Sequence, residues 1–378
     1  MYRKIMDFLE SWKRNEHRKP LILQGARQVG KTYSILEFGR THYENVAYFN
    51  FETNPKLNKT FEENISPDYL IPILSHIAGQ TIVREKTLIV FDEVQLCERA
   101  LTSLKYFCED APDYHIIVAG NLLGVAVNRT IFSFPVGKVD IKTLYPMDME
   151  EFMLALGEEN LVKQIKNCFH MNTPLPSALH DTAMQLYRQY LVVGGMPECV
   201  MQFVQTKDYI LVRHTQDTIL ASYLNDMSKY NNLNEIKKTR LAYDNITVQL
   251  SKKNTRFQYK LIKKGGRASE FENAIEWLCL SGIVSQVYKV EQIKKPLENY
   301  RDIDAFKIYV SDLGLLCAKK DLAANDILYM VEELNDFKGG MVENYVNVQL
   351  SINGYHTYFW ESARGAEIDF VIQRDGQL

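Results

Sequence analysis

The sequence predicts an α/β fold: a three-layer domain with a parallel sheet, a helical region, then two smaller parts that mix helices and strands. Two patterns predict it. Residues 21 to 150 alternate short apolar, β-rich runs with segments of helical spacing. Such alternation implies a parallel sheet with helices on both faces. From about 150 to 250 the strand signals vanish and helical spacing takes over, before strand-like runs return beyond 280.

Leu21–Leu23, Val46–Phe51, Thr87–Phe91 and His115–Ala119 read as buried strands. Near-continuous apolar runs of this kind fit strands covered on both faces. Thr32 to Arg40 and Ala100 to Cys108 carry helical spacing between them. Asn172-Thr173-Pro174-Leu175-Pro176 and Gly194-Gly195-Met196-Pro197 are loop signals. Ser269 to Leu280 reads as a helix ending at Gly282, Ile283 to Val290 as a strand, and Phe306 to Val310 as its partner. Met341 to Leu350 reads as a helix, with strands following around His356–Trp360 and Ile368–Ile372.

A chain of 378 residues predicts two or three domains. The patterns place their boundaries at residues 1–155, 156–215, 216–325 and 326–378, the second being a helical lid on the first. The net charge of −3 does not mark the whole chain as a nucleic-acid binder, although a local basic patch can hide in a neutral total. The six cysteines form no C-x-x-C pair. That argues against a zinc site or a disulfide framework and for a reducing, cytoplasmic setting. The charged start, Met1 to Lys19, lacks the apolar core of a signal peptide. The longest nearly apolar run, Ile116 to Val127, is too short to span a bilayer, so no membrane is expected.

The strongest chemical signal is Gly25-Ala26-Arg27-Gln28-Val29-Gly30-Lys31-Thr32, a full G-x-x-x-x-G-K-[ST]. It follows an apolar strand and opens a helix, the context a phosphate-binding P-loop requires. The glycines let the backbone wrap phosphate oxygens, and the helix start adds its positive end. Lys31 is expected to reach the β- and γ-phosphates of ATP, and the Thr32 hydroxyl to bind Mg²⁺. The strand at Thr87 ends in Asp92 and Glu93. Asp92 is expected to hold the Mg²⁺ shell and Glu93 to polarise the attacking water. A water activator argues for hydrolysis over transfer to a small molecule. Asn121, after the strand at 115–119, is the candidate sensor of the γ-phosphate. Arg129 and Lys138 are candidate charge stabilisers, in their own subunit or in a neighbour of a homo-oligomer.

These residues, with Phe91-Asp92-Glu93-Val94-Gln95, resemble the bacterial AAA-type ATPases that carry a C-terminal domain of unknown function. Three further stretches share the resemblance. They are Leu144 to Phe152 with Pro146, Tyr190 to Glu198 with Gly194-Gly195-Met196-Pro197, and Lys307 to Leu316 with Ser311-Asp312-Leu313-Gly314. The likeness covers nearly the whole chain and implies a P-loop NTPase core that hydrolyses ATP with Mg²⁺. Asn121 stands where the family pattern has a serine, and Lys138 where an arginine is usual. Lysine lacks arginine's planar fork for phosphate.

Ser251 to Ala268 holds Lys252, Lys253, Arg256, Lys260, Lys263, Lys264 and Arg267 and no acid, with Phe257 and Tyr259 interleaved. The helix and hairpin that follow, like the family resemblance, point to a winged helix that meets DNA through this segment. The alternative for this segment is a solvated basic face on a helical protein–protein module, and the alternative function is a slow nucleotide-dependent switch that controls protein assembly or signalling without nucleic acid. At the C-terminal end, Glu343 on a helix and Glu367 and Asp369 on one strand face resemble the metal site of restriction-endonuclease-like folds. In such folds a second strand adds an acid and a lysine. The chain stops at Leu378 before one, so a partial, vestigial nuclease-like domain without its lysine is expected.

Overall fold

The structure is a computed structural model and describes all residues except 121–134, 230–232 and 251–255. The chain forms two compact units, residues 2–145 and 146–378.

The first unit begins with helix α1, Lys4–Arg14. Its Ile5, Leu9 and Trp12 recur at helical spacing and are all buried. Strands β1 (Leu21–Gln24), β2 (Asn45–Asn50), β3 (Thr87–Asp92), β4 (His115–Ala119) and β5 (Asp140–Thr143) build one sheet in the order β2-β3-β4-β1-β5. Every neighbouring pair is parallel. The central strands β3 and β4 are buried at every residue, which explains their unbroken apolar reading. Helices α2 (Lys31–His42), α3 (Lys56–Glu63), α4 (Pro67–Ala78) and α5 (Glu98–Asp110) connect the strands. Phe61 of α3 packs edge-on against Phe91 of β3, with ring centroids 5.6 Å apart, and Phe51 meets both rings. Edge-to-face pairs like these contribute about 0.5–1.5 kcal/mol each beyond their buried area. The register sets Leu23 beside Ala119 and Phe91 beside Val118. The C-terminal ends of β1, β4 and β3 therefore lie side by side, where parallel α/β sheets place their ligands.

The second unit opens with helices α6 (Met149–Ala155), α7 (Glu159–His170), α8 (Ser177–Val193), α9 (Pro197–Thr206), α10 (Tyr209–Lys229) and α11 (Leu233–Leu250). Asp148 and Glu151 close a reciprocal capping box at the start of α6. The short helix α12 (Tyr259–Ile262) and α13 (Ala268–Leu280) lead into β6 (Val284–Val290) and β7 (Arg301–Val310). Helices α14 (Leu313–Lys319), α15 (Ala324–Tyr329) and α16 (Asn335–Ile352) follow, then β8 (Thr357–Glu361) and β9 (Glu367–Ile372). The β6–β7 hairpin is antiparallel, as its sequence predicts. It is not a free-standing wing, however. Strand β6 also pairs in parallel with β8, giving one mixed four-stranded sheet in the order β7-β6-β8-β9. The expected winged-helix hairpin and the expected nuclease-like strands thus share a sheet. Tyr288 and Lys289 could not announce partners some 70 residues away, because hydrophobic period reports burial and not pairing.

The three motif stretches singled out above are joined in a chain of hydrogen bonds that starts at the Asp312 carboxylate. Asp312 caps α14 through the Leu315 N–H at 2.8 Å and accepts the Gly195 N–H at 2.6 Å. The Gly195 carbonyl accepts the Met147 N–H at 2.6 Å. A Cβ on Gly195 would lie 2.0 Å from the Met147 carbonyl oxygen, so only glycine lets these backbones approach. Burial pushes the Asp312 carboxyl up from 3.8 to about 6, against the opposing pull of backbone donors from Leu315, Gly195, Gly314 and Met196. Between those values the native state holds a proton that the unfolded chain releases. Stability from this group is therefore full below about pH 4 and is lost as pH rises through about 6. Against Asp312→Asn, denaturation midpoints should show the wild type losing up to about 3 kcal/mol of relative stability between pH 4 and 7. A difference that stays constant over this range would refute the assignment.

Candidate active site

Gly25 follows β1 directly and sits at φ 147°. A Cβ there would meet the Leu144 carbonyl oxygen at 2.1 Å, so the loop starts where no side chain fits. Gln28 at φ 66° and Gly30 at φ 90° turn the loop into the start of α2. Gly25, Ala26, Arg27, Gln28, Val29, Gly30, Lys31 and Thr32 thus form the loop predicted from the sequence. Arg3 clamps it from behind, donating to the Val29 carbonyl at 3.1 Å and to the Tyr145 carbonyl at 2.8 Å. The side chain of Lys31 is buried, and its ammonium donates to the carbonyls of Gly25 at 2.9 Å and Ala26 at 2.8 Å.

Thr32 and Asp92 converge. The Thr32 hydroxyl donates to Asp92 Oδ2 at 3.0 Å. The Tyr48 hydroxyl, on β2, donates to the same oxygen at 2.7 Å. The Glu93 N–H donates to Asp92 Oδ1 at 3.0 Å. A hydroxyl and a carboxylate are the hard oxygen donors that Mg²⁺ takes at a phosphate site, completed there by water and phosphate oxygens, so this pair fits that ion. Glu93 takes a left-handed backbone, φ 51°, and Gln95 Nε2 donates to its Oε2 at 2.5 Å. Burial raises the Glu93 carboxyl above its ordinary value, and Asp92 adds to the shift while Gln95 and Lys31 oppose it. Burial also holds the Tyr48 phenol up at about 12. The amide oxygens of Gln28 and Gln95 are buried without a hydrogen-bond partner among the described residues. Such acceptors cost about 1–3 kcal/mol each unless water or a ligand fills them.

Asn121 and Arg129 lie outside the described residues. Lys138 pairs with Glu109 at 2.9 Å on the surface, the solvated arrangement rather than a phosphate contact. Sequence reasoning missed Arg3 and Tyr48, and it noted Leu144 in a motif stretch without giving it a part in the loop. Nothing local marks Arg3 or Tyr48, since one reaches the loop from the start of the chain and the other reaches Asp92 across the sheet.

The acids of the second unit also assemble, but with a lysine that was expected to be missing. Lys307 of β7 lies 3.3 Å from Glu343 Oε2 and 3.1 Å from Asp369 Oδ1. Its side chain is only 4% exposed. The Tyr309 hydroxyl donates to Glu343 Oε2 at 3.0 Å. Glu367 is exposed and stands opposite Glu361 in the β8–β9 register. Among the described residues, no three His, Cys, Asp or Glu side chains gather as a metal cage. In the basic segment, Arg256 pairs with Glu361 and Lys263 with Glu270, at 3.0 Å for the second pair. Lys260, Lys264 and Arg267 are exposed, while Lys252 and Lys253 lie outside the described residues. Phe257 is core, stacked on Phe306 with centroids 5.4 Å apart, rather than an exposed platform for bases. Among the described residues no helix is long and apolar enough to cross a membrane.

Comparison with known proteins agrees with this geometry. An AAA domain profile matches residues 17–153, and two domains of unknown function, DUF8612 and DUF4143, match residues 184–326 and 338–378. No curated protein matches the chain. Among solved structures, the Walker-type ATPase PABY2304 of Pyrococcus abyssi is similar over 83% of this chain and 94% of its own, at 14% identity and a TM-score of 0.51. The ORC2 protein of Aeropyrum pernix is similar over 93% of this chain and 95% of its own, at 11% identity and a TM-score of 0.40. The complete P-loop and the parallel sheet therefore lie within residues 17–153, the part of the chain that matches the AAA domain.

Proposed function

We propose that the chain hydrolyses ATP with Mg²⁺ held by Thr32 and Asp92, and that nucleotide state governs a C-terminal module that contacts nucleic acid. The 3.0 Å contact between Thr32 and Asp92, with Glu93 next in sequence, carries the first part. The Gly25–Thr32 backbone cradles the phosphates and Lys31 neutralises their charge. Thr32 and Asp92 would hold the metal, which would supply positive charge to offset the charge that develops during transfer. Glu93 takes the proton of the attacking water, and its raised affinity for protons makes it a better base at neutral pH.

The nucleic-acid part rests on the exposed Lys260, Lys264 and Arg267. Changing these three to Glu should weaken duplex DNA binding and flatten its salt dependence by about one unit of slope for each phosphate left without its cation. Turnover without DNA should not change. DNA binding that survives the triple change, together with turnover indifferent to duplex DNA, would sink this part. A second reading is then favoured, a slow nucleotide switch acting on protein contacts. The ion pairs that occupy Arg256 and Lys263, and the Gln95 amide held on Glu93, support that reading.

A further inference from the structure

Asp92 is gripped from three sides. Its Oδ1 accepts the Glu93 N–H, while its Oδ2 accepts both the Thr32 and the Tyr48 hydroxyls. The terminal torsion of an aspartate is broad and nearly two-fold, so a carboxylate held by one donor swings freely. The three donors differ in what they can do once the site fills. The Glu93 N–H is backbone. The Thr32 hydroxyl is expected to turn its oxygen to a metal. Tyr48 has no such second duty, and its phenol, protonated at neutral pH, donates whatever else is bound. Tyr48 stands on the edge strand β2, diagonal to Asp92, because Asn50 is the residue directly opposite. The tyrosine side chain is long enough to cross that diagonal and place its hydroxyl 2.7 Å from Asp92 Oδ2. The Asn50 amide donates to the Tyr48 oxygen at 3.2 Å and so directs the phenol. Asn50 is itself fixed, since its side-chain oxygen accepts the N–H groups of Glu52 and Thr53 at 2.9 Å each.

We propose that Tyr48 is a positioning residue that sets the Mg²⁺ affinity of the nucleotide site by fixing the Asp92 carboxylate. This rests on the reading of Thr32 and Asp92 as the metal-holding pair. Partners that orient a metal-holding group typically alter metal affinity by about 10–100-fold when removed. Tyr48 is 38% exposed, so its hydroxyl contributes little to the core and phenylalanine fits in its place.

The test is equilibrium binding of a fluorescent ATP analogue, titrated with Mg²⁺ from an EDTA start, on wild type and Tyr48→Phe. Affinity in EDTA should be the same for both. The Mg²⁺ concentration that gives half the affinity gain should rise about tenfold in the variant. An unchanged Mg²⁺ requirement overturns the inference and leaves the metal pair standing. An equal loss with and without Mg²⁺ marks a merely structural role and overturns it as well. A wild type whose affinity ignores Mg²⁺ overturns the metal pair and the inference together.

Discussion

Lys31→Ala should remove ATP binding while leaving the chain folded. The lysine side chain is buried and its ammonium spans the loop to the Gly25 and Ala26 carbonyls. Alanine removes the cation that meets the phosphates, and also the tie that holds the loop shut. Hydrogen bonds to charged groups contribute about 1.5–3 kcal/mol each, so the dissociation constant should rise about a hundredfold or more. Calorimetric titration reads this directly. Thermal melting separates it from unfolding: ATP should raise the melting temperature of wild type and not of the variant, since only a ligand bound to the native state stabilises it. A variant that still melts higher with ATP would contradict the role given to Lys31.

Glu93→Gln should have the second largest effect, and a different one. The amide keeps the size of the side chain but takes no proton from water. Affinity should hold, while single-turnover hydrolysis falls by about 10²–10⁴, the usual contribution of a general base. The raised carboxyl of Glu93 predicts a second signature. A base works only when ionised, so the acid limb of the wild-type rate profile should lie at higher pH than an ordinary carboxylate gives, and disappear in the variant. Normal hydrolysis by Glu93→Gln would remove Glu93 from its role.

The residues of this site divide by how they are built. Gly25 to Thr32, Asp92 and Glu93 were legible because contiguous chain at a strand end makes them, and the motif's spacing together with its strand-to-helix context marks a P-loop. Tyr48 was invisible, since its place depends on the β2–β3 register. Lys307 was missed for the same reason. The acids Glu343, Glu367 and Asp369 were expected together, but the sequence offered no sign that β7 would bring a lysine to Glu343 and Asp369. The basic segment misled in another way. Its charges read as one patch, yet Arg256 and Lys263 have acidic partners and Phe257 is core, facts set by long-range packing. Asp312, Gly195 and Met147 stood out in three separate motifs, and only the fold shows that they bond to one another.

Hydrolysis of ATP in water enriched in oxygen-18 tests the attack by water most directly. Wild-type protein with Mg²⁺ should yield ADP and phosphate in equal amounts, each phosphate carrying a single solvent oxygen, and Lys31→Ala should yield neither. A wild type that forms no ADP, or that releases phosphate without solvent oxygen, would contradict hydrolysis at the Gly25–Thr32 loop.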